Sequence, residues 1–315
     1  MNFRNYWNHL TNIEQQKWFC LSPFQGFFYY DYEDFQHYLS PLQSLHQFGT
    51  DPVLELYPFL RRGIDYGLLK KAKSDLAFLK IHPLFQFFLK KRVETEGVET
   101  TIQQSFIEHY TDYTKFLYQL LNSAEPSDRI QAITVLDHEY PNLMEVLWLK
   151  LDHYNTLILV TAVLNHYFNH YNRLEEWLAF LKSILKKIND FSDEGFFLHV
   201  VTILSGMGNA YLKLRQPKKA EKLFLEALNL CNQNSNYDDQ VELELMKNSL
   251  FVNLGNCSKS STQQIAWQEK SLQNRMSSLN KKGQGVLAFN LGEAYFGNHN
   301  LEPVSYTHLT LPTKA

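Results

Sequence analysis

Over most of the chain apolar residues recur three and four positions apart, the spacing of one face of an α-helix. That pattern predicts helices at residues 13–20, 34–39, 52–66, 84–91, 105–121, 127–138, 142–153, 156–171 and 174–188. Their ends are punctuated by Ser22-Pro23, Ser40-Pro41, Gly67, Pro126, Pro141 and Asn172-Arg173. Asp51 is a good N-cap with Pro52 at the first helical position, and Pro83 opens the helix that follows it. Only at residues 68–72 and 76–81 does the period change. These are two short apolar-rich runs around Lys73-Ser74-Asp75, which read as a β-hairpin. A polar stretch at 94–104 is expected to link this block to the next group of helices.

From about residue 194 a longer regularity appears. Leu204, Met207, Gly208, Tyr211, Ala220, Phe224 and Ala227 follow L-x-x-M-G-x-x-Y-x8-A-x3-F-x2-A. Small residues fall where two antiparallel helices cross closely, and large ones fill the space around the crossing. This spacing resembles a tetratricopeptide (TPR) unit. Phe251, Leu254 and Gly255 begin a second unit, and Ala288, Leu291, Gly292 and Tyr295 a third, with the glycines 47 and 37 residues apart. The second is degenerate: Ser258 stands where tyrosine is expected, and Trp267 and Gln268 fall near the small and aromatic positions. A helical bundle without repeats is the alternative.

The expected fold is mainly α. It comprises an N-terminal edge (1–10), a winged-helix-like domain with a small β-hairpin (11–93), a helical linker domain (94–193), a TPR-like α-solenoid (194–302) and a non-native tail (303–315). Low glycine content fits this, with 13 Gly in 315 residues beside 23 Phe and 18 Tyr. The tail is set apart because residues 304–313, VSYTHLTLPT, can be back-translated to a sequence that resembles the end of a transposase-based sequencing adapter. Native sequence is then expected to stop near Glu302 and the natural protein to continue beyond it.

The three cysteines, Cys20, Cys231 and Cys257, form no CxxC pattern and suit a reducing, cytoplasmic compartment. No apolar run is long enough to cross a bilayer. Charge is uneven. Residues 61–92 hold nine Lys/Arg against two Asp, an excess of seven positive charges in a chain whose net charge is -3. Lys70, Lys71 and Lys73 at the hairpin are therefore candidate phosphate contacts, and DNA binding is an alternative to a solvated or intramolecular basic face.

Three further stretches carry a wider resemblance. They are Leu21-Ser22-Pro23-Phe24; Tyr66-Gly67-Leu68-Leu69 with Leu79-Lys80-Ile81-His82-Pro83-Leu84; and Glu139-Tyr140-Pro141-Asn142-Leu143 ahead of Val146-Leu147. Together they resemble the C-terminal half of a STAND-class signal-transduction ATPase of the NB-ARC type with TPR repeats, over about residues 10–302. The resemblance implies that His82 occupies the place of a nucleotide-sensing histidine, with Ile81 for methionine and Pro83 for aspartate. A structural reading has His82 capping a helix. It also implies ATP or ADP in an upstream nucleotide-binding domain of a longer parent. The chain itself has no GxxxxGK[ST] loop and is expected to hold no cofactor.

No catalytic constellation or metal site is expected. His166 and His170 share a helix face without an HExxH glutamate, His138-Glu139 has no nucleophile beside it, and Asn236-Tyr237-Asp238-Asp239 follows no buried strand. The expected function is non-catalytic: a regulatory or sensor fragment that binds a protein or peptide partner on the TPR surface. A winged-helix DNA-binding regulator and a plain TPR scaffold are the alternatives.

Overall fold

A computed structural model describes residues 3–43, 48–73, 77–151, 154–188, 196–258 and 260–273. Among the described residues the chain is mainly α-helical with one small antiparallel sheet, and it divides into two compact units, residues 1–171 and 172–315.

The first unit opens with α1 (Phe3–Asn8) and α2 (Asn12–Phe19), followed by strand β1 (Phe27–Tyr29), α3 (Tyr32–Leu39) and a 3-10 turn at Ser40–Leu42. Next come α4 (Pro52–Asp65), β2 (Leu69–Lys71), β3 (Phe78–Ile81) and α5 (Pro83–Glu96). Three long helices close it: α6 (Glu99–Leu121), α7 (Pro126–Leu149) and α8 (Tyr154–His170). Local chemistry explains several starts. Thr11 and Glu14 form a reciprocal capping box on α2, and Asp51 accepts from Leu54 N at 2.9 Å at the head of α4. Buried aromatics fill the centre, with Trp18 edge-on to Phe85 and Phe24 edge-on to Phe106. Tyr6 and Trp7 of α1 join them, so residues assigned to an N-terminal edge bury side chains.

Three elements differ from the sequence expectation. The hairpin acquires a third strand: β1 pairs antiparallel with β3 in the order β1-β3-β2, with Phe28 opposite Leu79. Its three residues are too few to show an alternation, and their partner comes fifty residues later. The 94–104 link is almost entirely helical. Gly97, at φ 69°, adopts the left-handed turn that ends α5; Val98 N–H bonds back to Val93 O at 3.2 Å, and α6 starts one residue on. Finally, α7 runs straight through Pro141, where two helices were expected. One lost backbone bond is offset because the faces of α7 on both sides of the proline pack on α6, α8 and β1.

The second unit contains α9 (Leu174–Ile188), α10 (Phe196–Lys213), α11 (Pro217–Gln233), α12 (Gln240–Cys257) and α13 (Ser261–Gln273). Its core runs continuously from Val201 and Leu204 through Phe224 and Ala227 to Leu243, Leu250 and Leu254. The expected third hairpin with Leu291, Gly292 and Tyr295, and the 303–315 tail, lie outside the described residues.

Candidate functional site

Two helical hairpins, α10–α11 and α12–α13, make up most of the described residues of the second unit. The first is closed by one tight approach: a Cβ placed on Gly208 would lie 2.5 Å from a ring carbon of Phe224, closer than real contacts allow. Glycine at 208 is therefore what lets the Phe224 ring lie against the α10 backbone. Leu204, Met207, Ala220 and Ala227 are buried around this approach. The second hairpin repeats the geometry with different chemistry. Leu254 is buried, and a Cβ on Gly255 would meet the amide nitrogen of Gln268 at 2.6 Å, so Gln268 occupies the place taken by Phe224 in the first hairpin. Trp267 instead stacks on Phe251, with ring centroids 5.9 Å apart.

Tyr211 differs from its neighbours in being only half-buried. Lys182 of α9 and Lys219 of α11 both stand over its ring, at 5.9 and 5.4 Å from the centroid. Both lysines are exposed, and among the described residues neither pairs with a carboxylate. The result is an aromatic plate with two ammonium groups over one ring, assembled from three successive helices. Of these three residues the repeat spacing singled out only Tyr211. Lys219, eight residues on, was legible as a neighbour only once the hairpin closed.

In the first unit His82 is the N-cap of α5. Its Nδ1 accepts from Leu84 N at 3.3 Å, which places the ring proton on Nε2, and the side chain is exposed. The basic stretch separates into two groups. Arg62, Lys90, Lys91 and Arg92 pair with Glu14, Glu145, Glu94 and Glu96. Lys70, Lys71 and Lys73 are exposed on β2 and just beyond it, with no ion pair among the described residues. Lys70 sits directly across the ladder from Lys80, whose ammonium lies 5.1 Å from the Phe27 ring. Two like charges facing each other on a sheet repel.

The Glu139-to-Leu143 stretch does something the sequence did not reveal. Glu139 is fully buried: Oε1 accepts from Tyr29 N at 3.0 Å, and Oε2 accepts from the Tyr110 hydroxyl and from Asn142 Nδ2, each at 2.6 Å. Asn142 accepts from Gln25 N at 2.5 Å and donates to Phe27 O at 2.7 Å. Tyr29 N and Phe27 O are the outward-facing backbone groups of β1, an edge strand, and Gln25 N lies just before it, so side chains of α7 complete an edge that would otherwise be open. Burial pushes the Glu139 carboxyl up to about 7 against the pull of these donors. His138, next in sequence, turns away to stack on Phe78, with ring centroids 4.5 Å apart. The two form no acid–base pair.

His166 and His170 are both exposed on α8, and Asp239 serves as the N-cap of α12, accepting from Glu242 N. Among the described residues no three His, Cys, Asp or Glu side chains converge to hold a metal, the cysteines are free and buried, and no helix is long and apolar enough to cross a membrane.

No family model and no curated protein matches the chain. Solved structures do. BtubC (BKLC) from P. vanneervenii is similar over 65% of this chain and 87% of that one, at 16% identity and a TM-score of 0.44. A signal transduction ATPase with numerous domains (STAND) protein with a tetratricopeptide repeat sensor, from Pyrococcus horikoshii, is similar over 98% of this chain at 15% identity and a TM-score of 0.41. The chain spans 45% of the length of that STAND protein.

Proposed function

We propose that this chain is a non-catalytic regulatory module whose second unit, a TPR-like solenoid, binds a protein or peptide partner through the surface around Tyr211. The observation that carries the reading is the pair of exposed, acid-free lysines over one half-buried ring. Holding two ammonium groups over one ring costs free energy that a carboxylate from a partner would recover, and the tyrosine face offers apolar area beside it. An acidic segment with an adjacent apolar side chain fits. In a STAND-class parent such binding would bias a nucleotide-gated equilibrium. His82 supports that wider reading, since its Nε2–H is an exposed donor suited to a phosphate oxygen.

Fluorescence anisotropy with a labelled Asp/Glu-rich peptide tests the surface. Saturable binding that is lost in Lys182→Glu/Lys219→Glu and weakened in Tyr211→Ala is expected; equal binding by all three proteins would refute the reading. Residues 1–302 are also expected to turn over ATP no faster than a heat-killed control.

A second reading is favoured by the Lys70–Lys80 juxtaposition: a duplex phosphate backbone would neutralise both, together with Lys71 and Lys73. Gel shifts whose affinity falls steeply with salt, and vanishes in Lys70→Glu/Lys71→Glu/Lys73→Glu, would favour it over the first.

A further inference from the structure

In the first unit, α3 and α6 border a cleft of about 430 Å³ lined by Glu33, Asp34, His37, His109, Asp112 and Tyr113, with Phe116 at its edge. Its composition is one-sided. Three carboxylates face it against two basic groups, both beside Asp112 on the exposed rim: Lys115 at 2.7 Å and the His37 imidazole at 3.9 Å. His109 is only 9% exposed, and its ring touches His37, Tyr38, Tyr110 and Tyr113 while forming no hydrogen bond among the described residues. A buried imidazole without a polar partner, opening onto a cleft, is a group awaiting one. Burial, with His37 adding to it, pushes His109 down to about 4, so at neutral pH one ring nitrogen is a free acceptor.

The three carboxylates thus set the sign of the cleft, and the Tyr113 and Phe116 rings present π faces to it. Among the described residues no three such groups converge on a point, which argues against a metal ion. The volume suits an organic cation. We infer that the α3–α6 cleft is a binding site for a guanidinium or alkylammonium group, held by Glu33, Asp34 and Asp112, by His109 as acceptor, and by the Tyr113 and Phe116 rings as a cation–π wall. Crowding among Asp31, Glu33 and Asp34 supports this. Burial first, and then the Asp31 and Glu33 charges, raise the Asp34 carboxyl above its ordinary range, and a bound cation would relieve the repulsive part. The lysine–aspartate pair at the rim is exposed and weak, so an incoming cation displaces little.

The same chemistry arrives either as a free amine or on a partner's arginine or lysine. Two probes separate the sources: agmatine, and the capped peptide acetyl-Gly-Arg-Gly-amide. NMR follows the ring resonances of His109 and His37 during each titration of the full chain. Saturable shifts with millimolar or tighter affinity are expected. Agmatine binding more tightly points to a small-molecule site; the peptide binding more tightly points to a partner side chain. Glu33→Gln/Asp34→Asn should weaken binding by about tenfold. If that variant loses amide dispersion, Phe116→Ala, which removes an exposed ring, should weaken it severalfold instead. The site is refuted if neither probe moves the His109 resonance at millimolar concentration, or if a folded variant binds as the parent does.

Discussion

The carboxylate of Glu139 accepts the backbone N–H of Tyr29 at 3.0 Å across 110 residues of chain. Through this bond and its neighbours at Asn142, a helix of the second half of the unit terminates a sheet begun in the first. Backbone donors and acceptors on an edge strand otherwise need water or another strand, and here the side chains replace both.

Asn142→Leu keeps the volume but strands Gln25 N and Phe27 O, and it removes one donor from Glu139. Breaking a satisfied buried network costs about 2–5 kcal/mol, more than its net worth, because the surviving partners stay desolvated. Urea unfolding should show a loss of this size, with faster hydrogen exchange at the Gln25 amide. A loss below about 1 kcal/mol would mean that water substitutes freely there.

Glu139 and His109 make opposite contributions to pH dependence. Glu139 rises from 4.5 to about 7 on folding, so the folded state binds more protons across that window and stability falls as pH rises through it. His109 drops from 6.5 to about 4, so the unfolded state binds more protons and stability rises with pH there. Each shift amounts to roughly 3 kcal/mol. Glu139→Gln removes the first and keeps the second. The stability difference, parent minus variant, should therefore fall by roughly 3 kcal/mol between pH 4.5 and 7, read from urea midpoints at stepped pH. A constant difference would show that Glu139 titrates alike in the folded and unfolded states.

Gly208→Ala tests the hairpin. Alanine improves helix propensity by about 1 kcal/mol, but its methyl would sit 2.5 Å from the Phe224 ring, and overpacking costs about 1–3 kcal/mol. The clash should win, lowering Tm. Phe224→Leu in the same chain frees the space, so a double-mutant cycle should give a favourable coupling above about 0.5 kcal/mol. Additive effects would place the two residues apart.

Gln268→Met is expected to stabilise. The Gln268 side chain is fully buried, its Oε1 has no hydrogen-bond partner, and its Nε2 reaches Val252 O only at 3.5 Å. An unbranched apolar side chain of similar length removes that unpaired group, a gain of about 1–2 kcal/mol visible as a higher Tm. A drop would indicate that the amide holds the hairpin in register.

Helix starts were legible because they are local. Asp51-Pro52, His82-Pro83 and Pro126 act within one turn of themselves, and each opens a helix in the structure. So was the tight Gly208 approach, since a hairpin brings residues sixteen apart together through a short connection. The α3–α6 cleft was half-legible: His109, Asp112, Tyr113 and Phe116 share one face of α6 by spacing, but nothing in that spacing shows that Asp34 and His37 lie opposite.

The sequence by itself determined an almost wholly helical chain, the β2–β3 hairpin and the first helical repeat, because helical period, capping and short-range packing are decided within some twenty residues. Only the tertiary structure decided that β1 is a strand, that Pro141 does not end α7, and that a carboxylate and an amide on α7 close the sheet. The first and the last depend on partners 49 to 117 residues away, and the second on packing against α6, α8 and β1; in each the contact free energy outweighs the local preference.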